Sequence, residues 1–524
     1  MRAYVSKVPN GKDATAVRVL WKQGRRQVGL QHVGTGHSPA EIALLVATAH
    51  QIINAGQESL PGVSDELSLV TAAGDAGGVV GARVTSTTSA VLWDTLGRVW
   101  SQLGFDAAVP DRAFKALALA RVIEPTSKLD SARVLGEVGA WAPTNTTIYR
   151  CLRRCQDRGY RDVLARACWD HAGARASLLL YDVTTLYFET DTADGFREPG
   201  YSKERRLEPQ ILVGLLVDQA GFPLGVQAFT GSEAETKTIV PVVTEFAKLR
   251  GIDSFTVVAD AGMLSEANLT ALQAAGFDFI VGSRIAQVPY SITQYTRTHE
   301  TAELADQQVF VEPVLMGTKT DGLHRFTAVY QYRHARAQRD LRTISEQVTK
   351  AKATIAGTRK TKKARFVTTT DRATLALNHD LIASAKARAG IKGYLTSLPV
   401  AGCPGRPVPD GVDPVDPIAV ITAYHQLFEV ERSFRMSKSD LRARPIFSHV
   451  RDSIEAHLTM VMAALAVSRT IQARTGVSIR RFVHTLRPLR AAQISIGGRT
   501  ITVPPAIAPE TQALLNAATT ADQV

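Results

Sequence analysis

The chain has 524 residues, of which 45% are apolar and 21% charged, and its formal net charge is +12. That length holds two to four domains with proper cores, and the composition is that of a soluble globular chain rather than a disordered one. The basic balance points to a polyanionic partner.

The opening residues MRAYVSKVPNG carry no apolar core of signal-peptide length, and no run in the chain reaches about 18 uninterrupted apolar residues, so a cytoplasmic protein with no membrane partner is expected. Val17, Val19 and Trp21, a polar turn at Gly24, then Val28 and Leu30 predict a hairpin. Ser38 and Pro39 ahead of AEIALLVATAHQII predict a capped helix, completing a region over 1–60. Residues 61–88, rich in Gly, Ser and Thr, read as a linker or loose loops.

A mainly helical region follows over 89–170, with segments at 109–122, 127–138 and 146–157. The last carries Arg150, Arg153 and Arg154 behind a Thr-rich start, which suits a helix-turn-helix-like DNA-binding region. A helical bundle with a solvated basic edge fits the same pattern. Four cysteines are no disulfide framework, and Cys151-x3-Cys155 with Cys168 beyond is a poor zinc spacing, so these read as reduced thiols on or near buried helix faces.

From 171 to 283 the texture becomes that of a sheet. SLLLYDVTTLYF, QILVGLLVD and FPLGVQAF read as strands, followed by helix, strand (FTVVAD), helix and strand (FDFIVGS). This predicts an α/β fold: a mixed sheet with helices on its faces, in the order of a ribonuclease H-like core. Residues 284–412 interrupt it as a β-rich insertion subdomain containing a basic run, Lys350, Lys352, Arg359, Lys360, Lys362, Lys363 and Arg365. Such a run either neutralises several phosphates or is a solvated loop. The core resumes over 413–475 with helical periodicity, and 476–524 forms a C-terminal region with a hairpin-like GGRTITVPP and a terminal helix.

Three acids carry the chemistry. Asp182 closes the apolar run Leu178-Leu179-Leu180-Tyr181, and Asp260 closes Val257-Val258-Ala259 ahead of Gly262. A carboxylate at a strand end is either a ligand or a cap. Glu431 lies on a helix-like segment where Tyr424, Leu427, Glu431 and Lys438 share one face, while Glu429 points elsewhere as a surface residue. If that helix packs beside the strand ends, three carboxylates can hold two Mg²⁺ about 4 Å apart, the arrangement that phosphodiester chemistry requires. Lys438 and Tyr424 then suit contacts to flanking phosphates. His449 and His457, eight residues apart, suit a structural or DNA-contacting role better than a metal pair.

The segment Tyr424-x2-Leu427-x3-Glu431-x6-Lys438 resembles the Tyr-Arg-Glu-Lys motif of bacterial insertion-sequence transposases with an Asp–Asp–Glu site, in the insertion sequence four superfamily, sixteen-thirty-four-like group. The resemblance extends through YDVTTLYFE, YSKERRLEPQILVGLLVDQAGFPLG, GSEAETKT, VVADAGMLSEANL and RPIFSHVRDSIEAH, in the expected order. It implies that Asp182, Asp260 and Glu431 bind the metal, Mg²⁺ with Mn²⁺ as a substitute, and that Lys438 and Tyr424 position the DNA backbone. It further implies terminal inverted repeats and target DNA as double-stranded partners, a homodimer in a paired-end complex, and cut-and-paste transposition. Leu427 stands where the motif has arginine; Arg432 or Arg435 is the candidate to replace that cation. A nuclease of the same fold that cuts without joining, or an inactive DNA-binding descendant, are the competing readings. No covalent protein–DNA bond is required, so Tyr187, Tyr201 and Tyr424 are not read as nucleophiles.

Overall fold

Alternating apolar positions early in the chain produce an antiparallel meander of β1 (Arg2–Pro9), β2 (Thr15–Gln23) and β3 (Arg26–Gly36). Val17 and Val19 of β2 bury against Ala49, with Trp21, Leu45 and Ile53 packed around them. The predicted hairpin is β2–β3, and β1 adds a third strand. In this computed structural model the described residues are 2–9, 15–23, 26–36, a few helical positions between 42 and 53, 83–173, 177–189, 192–200, 208–263, 265–299, 303–317, 322–358, 364–369, 374–444, 446, 450–496 and 499–520. Ser38 and Pro39 lie outside them. The meander belongs to one unit, Met1–Gly81, and all that follows to a second, Ala82–Val524.

The second unit begins with β4 (Arg83–Thr88), a strand where the sequence reads as loose loops. Its partner lies some four hundred residues downstream, so no local pattern announces it. The helices Ala90–Gln102, Arg112–Ile123, Ser131–Glu137, Asn145–Asp157 and Tyr160–Ala172 follow. Asp111 caps the second of these, its Oδ1 accepting from the N–H groups of Ala113 and Phe114. Cys151, Cys155 and Cys168 are buried and unbridged.

The main sheet has eight strands: β5 (Leu178–Tyr187), β6 (Gln210–Val217), β7 (Pro223–Thr230), β8 (Thr256–Ala259), β9 (Asp278–Ser283), β10 (Val309–Met316), β11 (His324–Tyr332) and, after a small hairpin of β12 (Val367–Thr369) and β13 (Leu375–Leu377), β14 (Ile391–Thr396). Their order is β10-β11-β14-β9-β8-β5-β6-β7. The pairs β5–β8 and β8–β9 are parallel and the others antiparallel. Three strands of the 284–412 stretch therefore extend the core sheet. The rest of that stretch includes the helices His334–Ile355 and His379–Ala387 around a small core of Ile344, Ala351, Phe366 and Ala385.

Every residue of β6 is buried, as befits a strand covered on both faces. One covering element is the helix Arg451–Thr475. It is the one described helix long and apolar enough to cross a membrane, and 94% of that apolar window is buried inside the protein. His457 lies buried on it, bonded to the Ala443 carbonyl at 3.1 Å, while His449 is outside the described residues. A second sheet joins β15 (Ala491–Ile496) to β16 (Arg499–Val503) on one side and to β4 on the other.

Candidate active site

Parallel pairing brings the two aspartates together. Tyr181 of β5 is the register partner of Ala259 of β8, so Asp182, the next residue of β5, and Asp260, the residue just after β8, lie side by side. Strand spacing puts their backbones about 5 Å apart. The same row continues outward, because Ala259 pairs with Val281 and Gly282 pairs with Tyr394. Asp182, Asp260, Gly282 and Tyr394 thus form one line across the sheet, just past the end of β8 but in the middle of β5, which runs on to Tyr187, so Asp182 does not close its strand as the sequence suggests.

Helical residues 417–440 lie over this line. The stretch is not the single straight helix that its spacing predicts: Pro417–His425 is followed by Leu427–Arg435, and the last turn, Met436–Asp440, widens into a π-helix. Such turns re-aim side chains and recur at functional sites. The Tyr424 hydroxyl donates to Asp260 Oδ1 at 2.9 Å, passing over Gly282, where a side chain would collide with it. Its ring meets Tyr394 edge-on at 5.0 Å. Burial first, then the charge and hydrogen bond of Asp260 and the charge of Glu431, push the Tyr424 phenol above its usual range. At the other end of the stretch, Lys438 Nζ donates to Thr184 Oγ1, two residues beyond Asp182 on the same face of β5. Glu431 lies seven residues from each anchor and is exposed.

The opposite side of the helix is tied down separately. Glu429, read from the sequence as a surface residue, is half-buried and takes Arg469 at 2.6 Å and Arg432 at 2.8 Å. Arg469 also donates to the Ala220 carbonyl, and Ser433 Oγ to that of Gly221 at 2.6 Å. Arg432 pairs with Glu429 through Nη1 and stays part-exposed; Arg435 is exposed beside Phe428. Leu427, at the motif's arginine position, is buried.

Other residues singled out in the sequence fall in two groups. Arg150 and Arg153 are exposed on the Asn145–Asp157 helix, but Arg154 is held by Asp111 at 2.6 Å, where Tyr160 also bonds, so it serves the helical core instead of an open basic edge. Of the basic run, Lys350 and Lys352 sit on the His334–Ile355 helix and Arg365 is exposed; Arg359, Lys360, Lys362 and Lys363 lie outside the described residues, as does Tyr201. Arg121 gave no signal in the sequence. Its half-buried guanidinium donates to the carbonyls of Leu441 at 2.9 Å and Arg442 at 3.2 Å, fixing the turn after Lys438, and desolvation pulls its pKa down to about 10.

Residues 173–467 match the family described as a transposase DDE domain, a span that contains Asp182, Asp260 and Glu431. The chain belongs to that family. DNA transposition is accordingly the general activity of this DDE transposase. No curated protein matches the chain. Among solved structures it is similar to a cryo-EM structure of the piggyBac transposase synaptic complex with hairpin DNA, at 11% identity and a TM-score of 0.34, with 80% of this chain and 74% of that one covered. It is also similar to the Mos1 transposase paired-end complex with left transposon end, at 14% identity and a TM-score of 0.15, with 44% and 71% covered.

Transposases of this family use divalent cations. The neighbouring carboxylates of Asp182 and Asp260 are hard oxygen donors of the kind Mg²⁺ takes, and the pair fits such an ion. Among the described residues no three His, Cys, Asp or Glu side chains stand close enough to hold one ion, so Glu431 does not complete the expected triad in this conformation.

Proposed function

We propose that this DDE transposase cuts DNA at the ends of its own element and joins the freed 3′-hydroxyl to a target, on a ribonuclease H-like core. The observation that carries this reading is the register-matched pair Asp182 and Asp260 beneath a helix anchored at Tyr424 and Lys438. The strand order, three antiparallel strands followed by two parallel ones, supports the assignment of the core.

In this reading Asp182 and Asp260 hold the divalent metal, and Glu431 joins them when DNA draws the helix inward. Bound divalent ions supply Lewis-acid activation of the attacking oxygen and charge stabilisation at the leaving oxygen. The protein's own part is positional. Tyr424 fixes the rotamer of Asp260 through its hydrogen bond, and Lys438, beside Thr184, offers its ammonium to a non-bridging phosphate oxygen. The exposed arginines Arg150, Arg153 and Arg435, with Lys350, Lys352 and Arg365, supply backbone contacts, and two copies bridge the paired ends.

The test uses a plasmid carrying the element with its native flanks, incubated with purified protein and Mg²⁺. Wild type should release a discrete fragment and join it elsewhere, and Asp260→Asn should do neither. Equal fragment release by both proteins would end the proposal. A pre-cut end whose 3′-hydroxyl is never joined would favour the nuclease reading instead.

A further inference from the structure

A cavity of about 320 Å³ opens between the helices His334–Ile355 and His379–Ala387 and strand β14. Its lining includes the cations Arg336, Arg365, Arg388 and Lys392, and one carboxylate, Asp340. That carboxylate is partly occupied: its Oδ2 accepts the Gly390 N–H at 3.1 Å and lies 3.5 Å from Arg336 Nε. The Arg336 Nε is buried and has no hydrogen-bond partner. Arg388 is braced by the carbonyls of Ile285 at 2.9 Å and Ala286 at 2.5 Å, both accepting from Nη1, and by Ser384 through Nε at 3.0 Å. Lys392 makes no ion pair among the described residues.

Lys392 also faces the catalytic centre. It sits on β14 two residues from Tyr394 and on the same face, with Nζ 5.0 Å from the Tyr424 ring centroid. Burial and the Arg336 charge lower its pKa, while the Asp260 charge works in the opposite direction. One ammonium thus feels both the cavity's arginine and the aspartate of the proposed cutting site. A half-buried cluster with this excess of positive charge is costly unless an anion enters.

We infer that this cavity is an anion site that takes a backbone phosphate of the DNA strand leaving the Asp182–Asp260 centre, with Arg336 and Lys392 as its principal ligands and Arg388 as its braced wall. The inference rests on the DNA-cutting reading but concerns binding, not cleavage. Phosphates on one strand follow one another every few ångströms along the duplex, so a strand seated at Asp260 brings a neighbouring phosphate within reach of Lys392.

The experiment measures the affinity of the full-length protein for a linear duplex of arbitrary sequence over a series of salt concentrations. The variants are Arg336→Ala with Lys392→Ala, the charge-retaining Lys392→Arg, and Asp260→Asn. The double variant should weaken binding on the order of tenfold and flatten the log–log salt slope by about one. Lys392→Arg should keep the wild-type slope, and circular dichroism checks that each variant is folded. A folded double variant with an unchanged slope overturns the anion site and leaves the cutting reading standing. Binding intact in every variant but no cutting by wild type overturns the cutting reading and, with it, the role given to the bound phosphate.

Discussion

The Tyr424 hydroxyl reaches Asp260 at 2.9 Å only because residue 282, its neighbour in the strand row, is glycine. A hydrogen bond to a carboxylate fixes its orientation, and the orientation of Asp260 decides whether its oxygens converge with those of Asp182. Tyr424→Phe keeps the edge-on packing against Tyr394 and removes the donor alone. Asp260 is exposed and rehydrates in the variant, so stability should change by no more than about 1 kcal/mol. Cleavage should fall by on the order of tenfold or more, because a small misplacement of a catalytic group costs far more rate than stability. Urea unfolding beside single-turnover cleavage would separate the two; a rate equal to wild type would remove Tyr424 from the machinery.

Gly282→Ala reaches the same hydrogen bond from the other side. An added Cβ would stand 2.6 Å from the Tyr424 hydroxyl, and the ring cannot swing away freely because Tyr394 packs against it. The expected cost is about 1–3 kcal/mol of stability, the usual penalty for overfilling a packed site. Its cleavage defect should match that of Tyr424→Phe. In the double variant the two defects should fail to add, since both break one contact. Full additivity in single-turnover rates would show that Gly282 acts elsewhere.

The two aspartates were readable as candidates because each closes an apolar run, although either could equally have been a cap and Asp182 lies inside β5; helical character over 417–440 was readable from spacing, but its division into three pieces was not. What the sequence withheld is relational. The row Asp182, Asp260, Gly282, Tyr394 is assembled from residues more than two hundred positions apart at its ends, and pairing register is not written in any one strand. Glu429 and Arg154 read as surface charges for the same reason: their partners Arg469 and Asp111 are brought in by packing of distant helices. The three strands that widen the sheet beyond β9 look like a separate insertion from composition, because interruption by the His334–Ile355 helix hides their continuity. Glu431 was readable as a candidate, whereas its distance from the aspartates depends on the break at Gln426 and the π-turn, neither of which periodicity reveals.

Leu427→Arg tests the family motif against the packing. By resemblance, arginine at this position would add a phosphate-binding cation and raise activity. Leu427 is only 8% exposed and lies in the main core, so an arginine there must bury its guanidinium or push the helix off the sheet. The expected outcome is a loss of about 2–3 kcal/mol in urea unfolding and weaker cleavage, not stronger. A variant as stable as wild type with tighter DNA binding would show that the leucine is a simple deletion of the motif's cation.

Acid should loosen the helix at its other anchor. Burial alone would raise the Glu429 pKa, but hydrogen bonds from Arg469 and Arg432 outweigh it and hold the carboxyl below its ordinary value of 4.5. A depressed folded pKa means that the unfolded chain takes up the proton first as pH falls. The ion pair's contribution is therefore complete above the ordinary value and is lost as pH drops from about 4.5 through the lower folded one. At pH 7, Glu429→Gln should cost about 1–3 kcal/mol, with Arg469 still bonded to Ala220. Below pH 4 the stability gap between variant and wild type should shrink. Urea midpoints measured at pH 7 and at pH 3.5 decide the matter, and a gap of constant size at both would mean that the carboxylate's charge contributes nothing to holding the helix over Asp182 and Asp260.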